Sequence, residues 1–289
     1  MESGFVYRFA LIPVMFMIPV SAGMAGTLIL DGPMVQGGLV QGRTDAGTRI
    51  EYDGRAVRVS KEGIFLIGFG RDAPAEMRLL ATFPDGSREW RVLKIAQRKY
   101  RIQRVNGLPP RKVTPRAEDL ARIRADVALL KNARTRDDAR TDFLTGFKWP
   151  ASGRITGVYG SQRFLNGKPG RPHYGLDIAA PVGAPVLAPA DGTVTLVHPD
   201  MFYSGGTLIV DHGQGLSSTF IHLNRILVKE GARVRQGEPI AEVGATGRVN
   251  GPHLDWRINL FKQRLDPQLV LEAMAAGENS DKIQATRYK

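Results

Sequence analysis

Apolar residues between positions 27 and 105 come in short runs, TLIL, RIEY, IFLIGFG, MRLLATF and WRVLKI, broken by Gly37-Gly38, Asp53-Gly54 and Asp85-Gly86. Runs of this length between turn pairs predict a small all-β sandwich or barrel over 26–108. Pro109-Pro110 and Pro115 then mark a linker, 109–142, in which Leu120, Ile123, Val127 and Leu130 recur at spacings of three and four. That period predicts an amphipathic helix packed on a neighbouring domain. After the charged run ARTRDDART the β pattern returns in PVLAPA, TVTLV, GTLIVDH, STFIHL and PIAEV, joined by turns at Asp191-Gly192, Gly205-Gly206 and Gly213-Gln214-Gly215. It predicts a second β module over 143–271, with a flexible tail at 272–289. The fold class is mainly β.

Residues 9–24 form a separate apolar run, preceded by Arg8 and ending in small residues with Ala25 as a cleavage edge. The run reads as a signal peptide over 1–25, with a retained anchor as the alternative; either places the rest of the chain in the periplasm or cell envelope.

A chain of 289 residues can bury the cores of two modules. It has no cysteine, which excludes a disulfide framework and leaves nitrogen and oxygen to hold any metal. The formal net charge is +12, and the excess is local: between 88 and 116, ten lysines and arginines face the single acid Glu89. Such a stripe suits an anionic polymer. Its only aromatics, Trp90 and Tyr100, are too few for the interleaving of a single-strand binder. With export, the expected partner is not nucleic acid but an anionic wall polymer or lipid headgroups; the alternative is a solvated face with no partner. The N-terminal module contains no histidine and is expected to position or bind, not to catalyse.

All five histidines, at 173, 198, 212, 222 and 253, fall in the second module. Neutral imidazole is the commonest nitrogen ligand of transition metals and the usual acid or base near neutral pH, so the clustering suggests one site assembled from several strands. In HYGLD, His173 precedes Asp177 by four; in GPHLDW, His253 precedes Asp255 by two, which on a strand puts both side chains on one face. A catalytic zinc needs about three protein ligands and an open position. His173, Asp177 and Asp255 are candidates for those ligands, with His253 and His222 beside them to handle a proton or an oxyanion. Against this stands the commoner case of a histidine beside an aspartate that is structural. His198 and His212 are expected to be structural, His212 at a hairpin turn. Arg163 and Arg171, flanking FLNGKPGRP, are placed to meet a carboxylate of a peptide substrate.

HYGLD, APVGAPVLAPADGTV, DHGQGLSSTFIHL, VKEGARVRQGEPIAEVGATG and GPHLDW follow one another in order, and over roughly 149–267 the chain resembles the lysostaphin-like (LytM-type) zinc metallopeptidases that cut peptide bridges in peptidoglycan. The resemblance implies an antiparallel, barrel-like β peptidase domain, one Zn2+ ion and peptidoglycan stem peptides as substrate. His173 and Asp177 match the first two zinc ligands, His222 the histidine of the family's Tyr-x-His, and His253 the first histidine of its closing His-x-His. Two positions depart: Asp255 stands at the family's second closing histidine, the third ligand, and Phe220 at its tyrosine.

A carboxylate oxygen binds zinc at about 2.0–2.2 Å, as a histidine nitrogen does. Two carboxylates, however, are expected to neutralise the dication, giving a weaker Lewis acid that discriminates less against manganese or iron. Three readings follow: a working His/Asp/Asp zinc endopeptidase; an impaired domain that binds the wall and activates a separate amidase, as degenerate members of that family do; and a wall-binding module alone. Retention of His173, Asp177, His222 and His253 together favours the first.

Overall fold

The structure is a computed structural model that describes Met1 and residues 26–275; the expected signal peptide, and the tail beyond 275, lie outside the described residues. Two antiparallel sheets make the N-terminal module. One pairs Leu28–Asp31, Leu39–Thr44 and Ile64–Gly68; the other runs Arg55–Val57, Arg49–Tyr52, Glu76–Thr82, Arg88–Lys94. Between them lie Val40, Ile50, Phe65, Ile67, Phe69 and Leu79. The strand Ile64–Gly68 is buried throughout, which accounts for its unbroken apolar run. Alternate side chains leave a strand on opposite faces, so Phe65 and Ile67 fill the N-terminal core while Ile64 and Leu66 join Leu260 and Leu265 of the second module.

Strand pairing crosses the expected boundary at 108. Ile102–Val105 runs parallel to Gln162–Leu165, which pairs in turn with Lys168–Pro169. Part of the basic stretch is thereby tied to the second module.

The linker helix forms at Asp119–Ala133 and packs on the second module, but it buries only the Ile123 and Leu130 part of the predicted stripe. Leu120 and Val127 are exposed, whereas Asp119, Asp126 and Ala133 are buried. Leu130 and Ala133 pack on Leu196, Met201 and Ile209. Hydrogen bonds set this rotation: Asp126 accepts the Phe202 backbone N–H at 2.7 Å and Asp119 accepts Arg111 Nε at 2.8 Å, and carboxylates so satisfied can be buried.

In the second module the main path of a ten-stranded sheet runs Arg233–Val234, Gly192–Met201, Gly205–Asp211, Leu216–Ile226, His253–Leu260, Leu176–Ala179, Arg154–Gly157. The sheet is mainly antiparallel, as expected, and open; it does not close into a barrel. One face carries the core, where Leu176, Ile178, Phe220, Leu254, Trp256 and Ile258 are buried. Trp256 heads the fully buried side chains by volume. Trp256→Ala is expected to cost roughly 3–5 kcal/mol, read as a fall in Tm on the order of 10 °C in thermal unfolding.

Candidate metal centre

Opposite that core, the strands Leu176–Ala179, His253–Leu260 and Leu216–Ile226 floor a polar site. Register does the first part of the assembly. Asp177 pairs with Asp255 and Ala179 with His253, so the alternation that buries Ile178, Leu254 and Trp256 turns Asp177, His253 and Asp255 to the polar side. His173 lies just before the strand, held by its backbone N–H donating to the Ser161 carbonyl at 2.8 Å. Its Nε2 stands 3.0 Å from Asp177 Oδ1 and 3.4 Å from Asp255 Oδ2, and His253 Nε2 stands 3.8 Å from Asp177 Oδ1. His173, Asp177 and Asp255, all buried, each offer a ligand atom, and these atoms lie within 4.8 Å of one another.

His222 arrives by a different route. Phe220 and Trp256 are cross-strand partners and both lie in the core, so simple alternation along Leu216–Ile226 would send His222 to that side as well. Instead its backbone is left-handed, φ 68°, beside a register irregularity, and its ring meets that of His253 with centroids 4.9 Å apart. An irregularity of this kind re-aims a side chain next to a site, at roughly 1 kcal/mol or more of backbone strain. Phe220, at the family's tyrosine position, stays in the regular alternation, is fully buried and takes no part in the site.

The three histidines share one orientation. Nδ1 faces a backbone carbonyl in each: Val158 at 3.2 Å for His173, Thr246 at 2.8 Å for His222 and Gly251 at 2.9 Å for His253. Carbonyls only accept, so Nδ1 carries the proton and Nε2 is the free nitrogen. For His222, burial pushes the pKa down to about 3, which keeps the ring neutral. Burial also disfavours charge on His173, but Asp177 and Asp255 outweigh it and hold its pKa above the ordinary value.

Two arginines grip the carboxylates from outside. Arg163 bonds Asp177 Oδ2, and Arg257 bonds Asp255 with both arms, Nε to Oδ1 at 2.9 Å and Nη2 to Oδ2 at 2.6 Å. Burial raises the pKa of Asp255, yet Arg257 and then His173 hold it well below the usual carboxylate range. Arg163 is itself fixed by Gln103 of Ile102–Val105 at 3.0 Å. Expected to meet a carboxylate of a peptide substrate, Arg163 instead bonds one of the chain's own: the parallel pairing with that strand presents it to Asp177. Arg171 stays exposed.

The residues fit a metal ion. His173 Nε2 and Asp177 Oδ1 are buried 3.0 Å apart and have no partner but each other. Unsatisfied buried groups of this sort are costly, and a cation between them satisfies both. Each oxygen of Asp255 accepts one bond from Arg257 and retains a second lone pair. Backbone glycines let the carboxylates in: a Cβ at Gly157 would come 2.1 Å from Asp177 Oδ2, and one at Gly175 would come 2.1 Å from Asp255 Oδ1.

Sequence reasoning missed Arg257, Gly157 and Gly175. Only Arg257 carried a signal, its spacing of two from Asp255. His212 is buried between the Asp191 carbonyl, 2.6 Å, and Ser218 Oγ, 2.9 Å, and burial pushes its pKa down to about 4. His198 Nδ1 accepts the Asp200 backbone N–H at 3.2 Å. Neither belongs to the metal-competent cluster.

Residues 171–267 match the sequence profile of peptidase family M23. The crystal structure of a putative M23 peptidase from Pseudomonas aeruginosa is 31% identical, covers 83% of this chain and 96% of its own, and superposes with a TM-score of 0.65. Among curated proteins, peptidoglycan DD-endopeptidase ShyB of Vibrio cholerae is 36% identical over 45% of this chain and 28% of its own length. Cell division protein DipM of Caulobacter vibrioides is 35% identical over 43% of this chain and 21% of its own. The chain thus spans less than a third of the length of these two curated relatives.

Proposed function

Since the chain belongs to peptidase family M23, the LytM-type peptidases, we propose that it is a zinc-dependent endopeptidase that hydrolyses peptide crosslinks of peptidoglycan. His173, Asp177 and Asp255 would hold the single ion. The observation that carries this reading is the convergence of two buried ligand atoms with no partner but each other, His173 Nε2 and Asp177 Oδ1, with Asp255 Oδ2 beside them. When bound, zinc supplies a Lewis acid that polarises the scissile carbonyl.

The chain's own residues do the rest. His253, partly exposed at the mouth, offers Nε2 to take a proton from the attacking water and return it to the leaving amine. Neutral His222 also presents Nε2 as an acceptor, so its role is to orient the attacking water. Arg163 and Arg257 offset the charges of Asp177 and Asp255, so the ligand set with its arginines is formally neutral. A dication there keeps its charge, and the weak Lewis acid expected from two carboxylates does not follow.

Export to the periplasm or envelope belongs to the same reading, on the strength of the 9–24 run. Among the described residues no helix is long and apolar enough to cross a membrane. The stretch 88–116, with Trp90, Val92 and Ile102 exposed among its arginines and lysines, suits an anionic wall polymer or lipid headgroups.

A second reading is a non-catalytic domain that binds the wall and activates a separate amidase. It draws on the arginine grip on both oxygens of Asp255 and on a relative named as a cell division protein. Mass analysis of a digest of purified sacculi separates the two. Disappearance of crosslinked dimers is expected; an unchanged dimer pool, or new glycan-strand ends in its place, contradicts the endopeptidase.

A further inference from the structure

The polar face continues past Asp255. On His253–Leu260, Asp255, Arg257 and Asn259 point the same way, and their partners on Leu216–Ile226 are Ile221, Thr219 and Ser217. Two more arginines reach this floor. Arg134, which follows the helix Asp119–Ala133, donates to Thr219 Oγ1 at 3.0 Å; Arg264 donates to Asn259 Oδ1 at 3.3 Å and lies over the Tyr174 ring.

Three guanidiniums thus share this floor, and only Arg257 is bonded to Asp255, taking both of its oxygens. Arg134 and Arg264 are half-buried, and neither makes an ion pair among the described residues. Burial, with neighbouring arginines, lowers the pKa of both. Arg134 Nε and Ser217 Oγ are buried without a hydrogen-bond partner. Half-buried charges whose partners are a hydroxyl, an amide and a ring are destabilising unless an anion joins them.

We propose that Arg134 and Arg264 form an anion subsite that takes a carboxylate of the peptide substrate. The planar guanidinium fork suits a carboxylate in two-point contact. Along the strand, four residues separate Asp255 from Asn259, about 13 Å at 3.3 Å per residue. The carboxylate therefore lies up to about four residues along the substrate from the bond that is cut. The peptide as ligand rests on the proposed peptidase reading; the preference for an anion does not.

The test uses two synthetic crosslinked peptides that are identical except that one carboxylate is free in the first and a carboxamide in the second. Calorimetry on the full chain carrying His253→Ala, which keeps the ligands intact, measures the binding of each. The free carboxylate is expected to bind about tenfold or more tightly, the strength of one or two charge-assisted hydrogen bonds. Arg134→Met and Arg264→Met are each expected to remove most of that preference without weakening the carboxamide. Arg264→Lys, which keeps the charge, preserves part of it and guards against a folding defect. Equal binding of the two peptides by the parent, or equal loss of both peptides in the variants, overturns the subsite. A chain that prefers the carboxylate but leaves sacculi intact contradicts the endopeptidase reading alone.

Discussion

Replacing His253 with alanine is expected to slow crosslink hydrolysis about a thousandfold, within the usual contribution of a positioned acid–base group, while zinc content stays stoichiometric. The separation of the two readouts follows from geometry. His253 Nε2 is 3.8 Å from Asp177 Oδ1 but belongs outside the compact trio of His173, Asp177 and Asp255. Its Nδ1 is anchored on the Gly251 carbonyl at 2.9 Å, so removing the ring breaks one local bond and leaves those three donors in place. Turnover of sacculi and elemental analysis on the same preparation check both halves. An unchanged rate removes His253 from the mechanism.

Asp255→Ala is expected to do the opposite, taking the metal and much of the stability together. The substitution deletes one of three donors and strands Arg257, whose only ion pair among the described residues is with Asp255. Breaking a buried pair from one side costs about 3 kcal/mol, at the low end because the guanidinium is partly exposed. For a chain of this size that is a fall in Tm of roughly 6–12 °C. Near-stoichiometric zinc in the parent and almost none in the variant, with the lower Tm, is the expected pair of results. Zinc retained by the variant rules Asp255 out as a ligand. A parent that takes up no metal even when zinc is supplied moves the reading to the non-catalytic domain. Because Asp255 and Arg257 act as a unit, Asp255→His alone is expected to bind zinc less well than Asp255→His with Arg257→Met, since the lone histidine leaves a bare cation beside the ion.

Much of this was legible along the chain. Turn pairs and short apolar runs located the strands of both modules, because a strand's two faces impose a period of two on its residues. Spacing put His253 and Asp255 on one face, and HYGLD with GPHLDW pointed to the family. Other features were not legible. The linker helix buries Asp119 and Asp126 in place of Leu120 and Val127, because those carboxylates found donors outside the helix, in Arg111 and in the sequence-distant Phe202 backbone. Strand 102–105, at the end of the expected N-terminal module, pairs with 162–165 and aims Arg163 at Asp177.

By itself, then, the sequence determined the β class, the positions of the strands, the donor types available and the identity of His173, Asp177 and Asp255 as candidates, all of which depend on local periodicity or on short motifs. Only the tertiary structure decided that His222 turns out of its strand's alternation, that Gly157 and Gly175 admit the carboxylates, that Arg163 and Arg257 grip them, and that Arg134 and Arg264 join the same polar floor. Charge balance and satisfied hydrogen bonds are properties of neighbours in space, and most of these neighbours stand on separate strands and loops whose register no local pattern encodes.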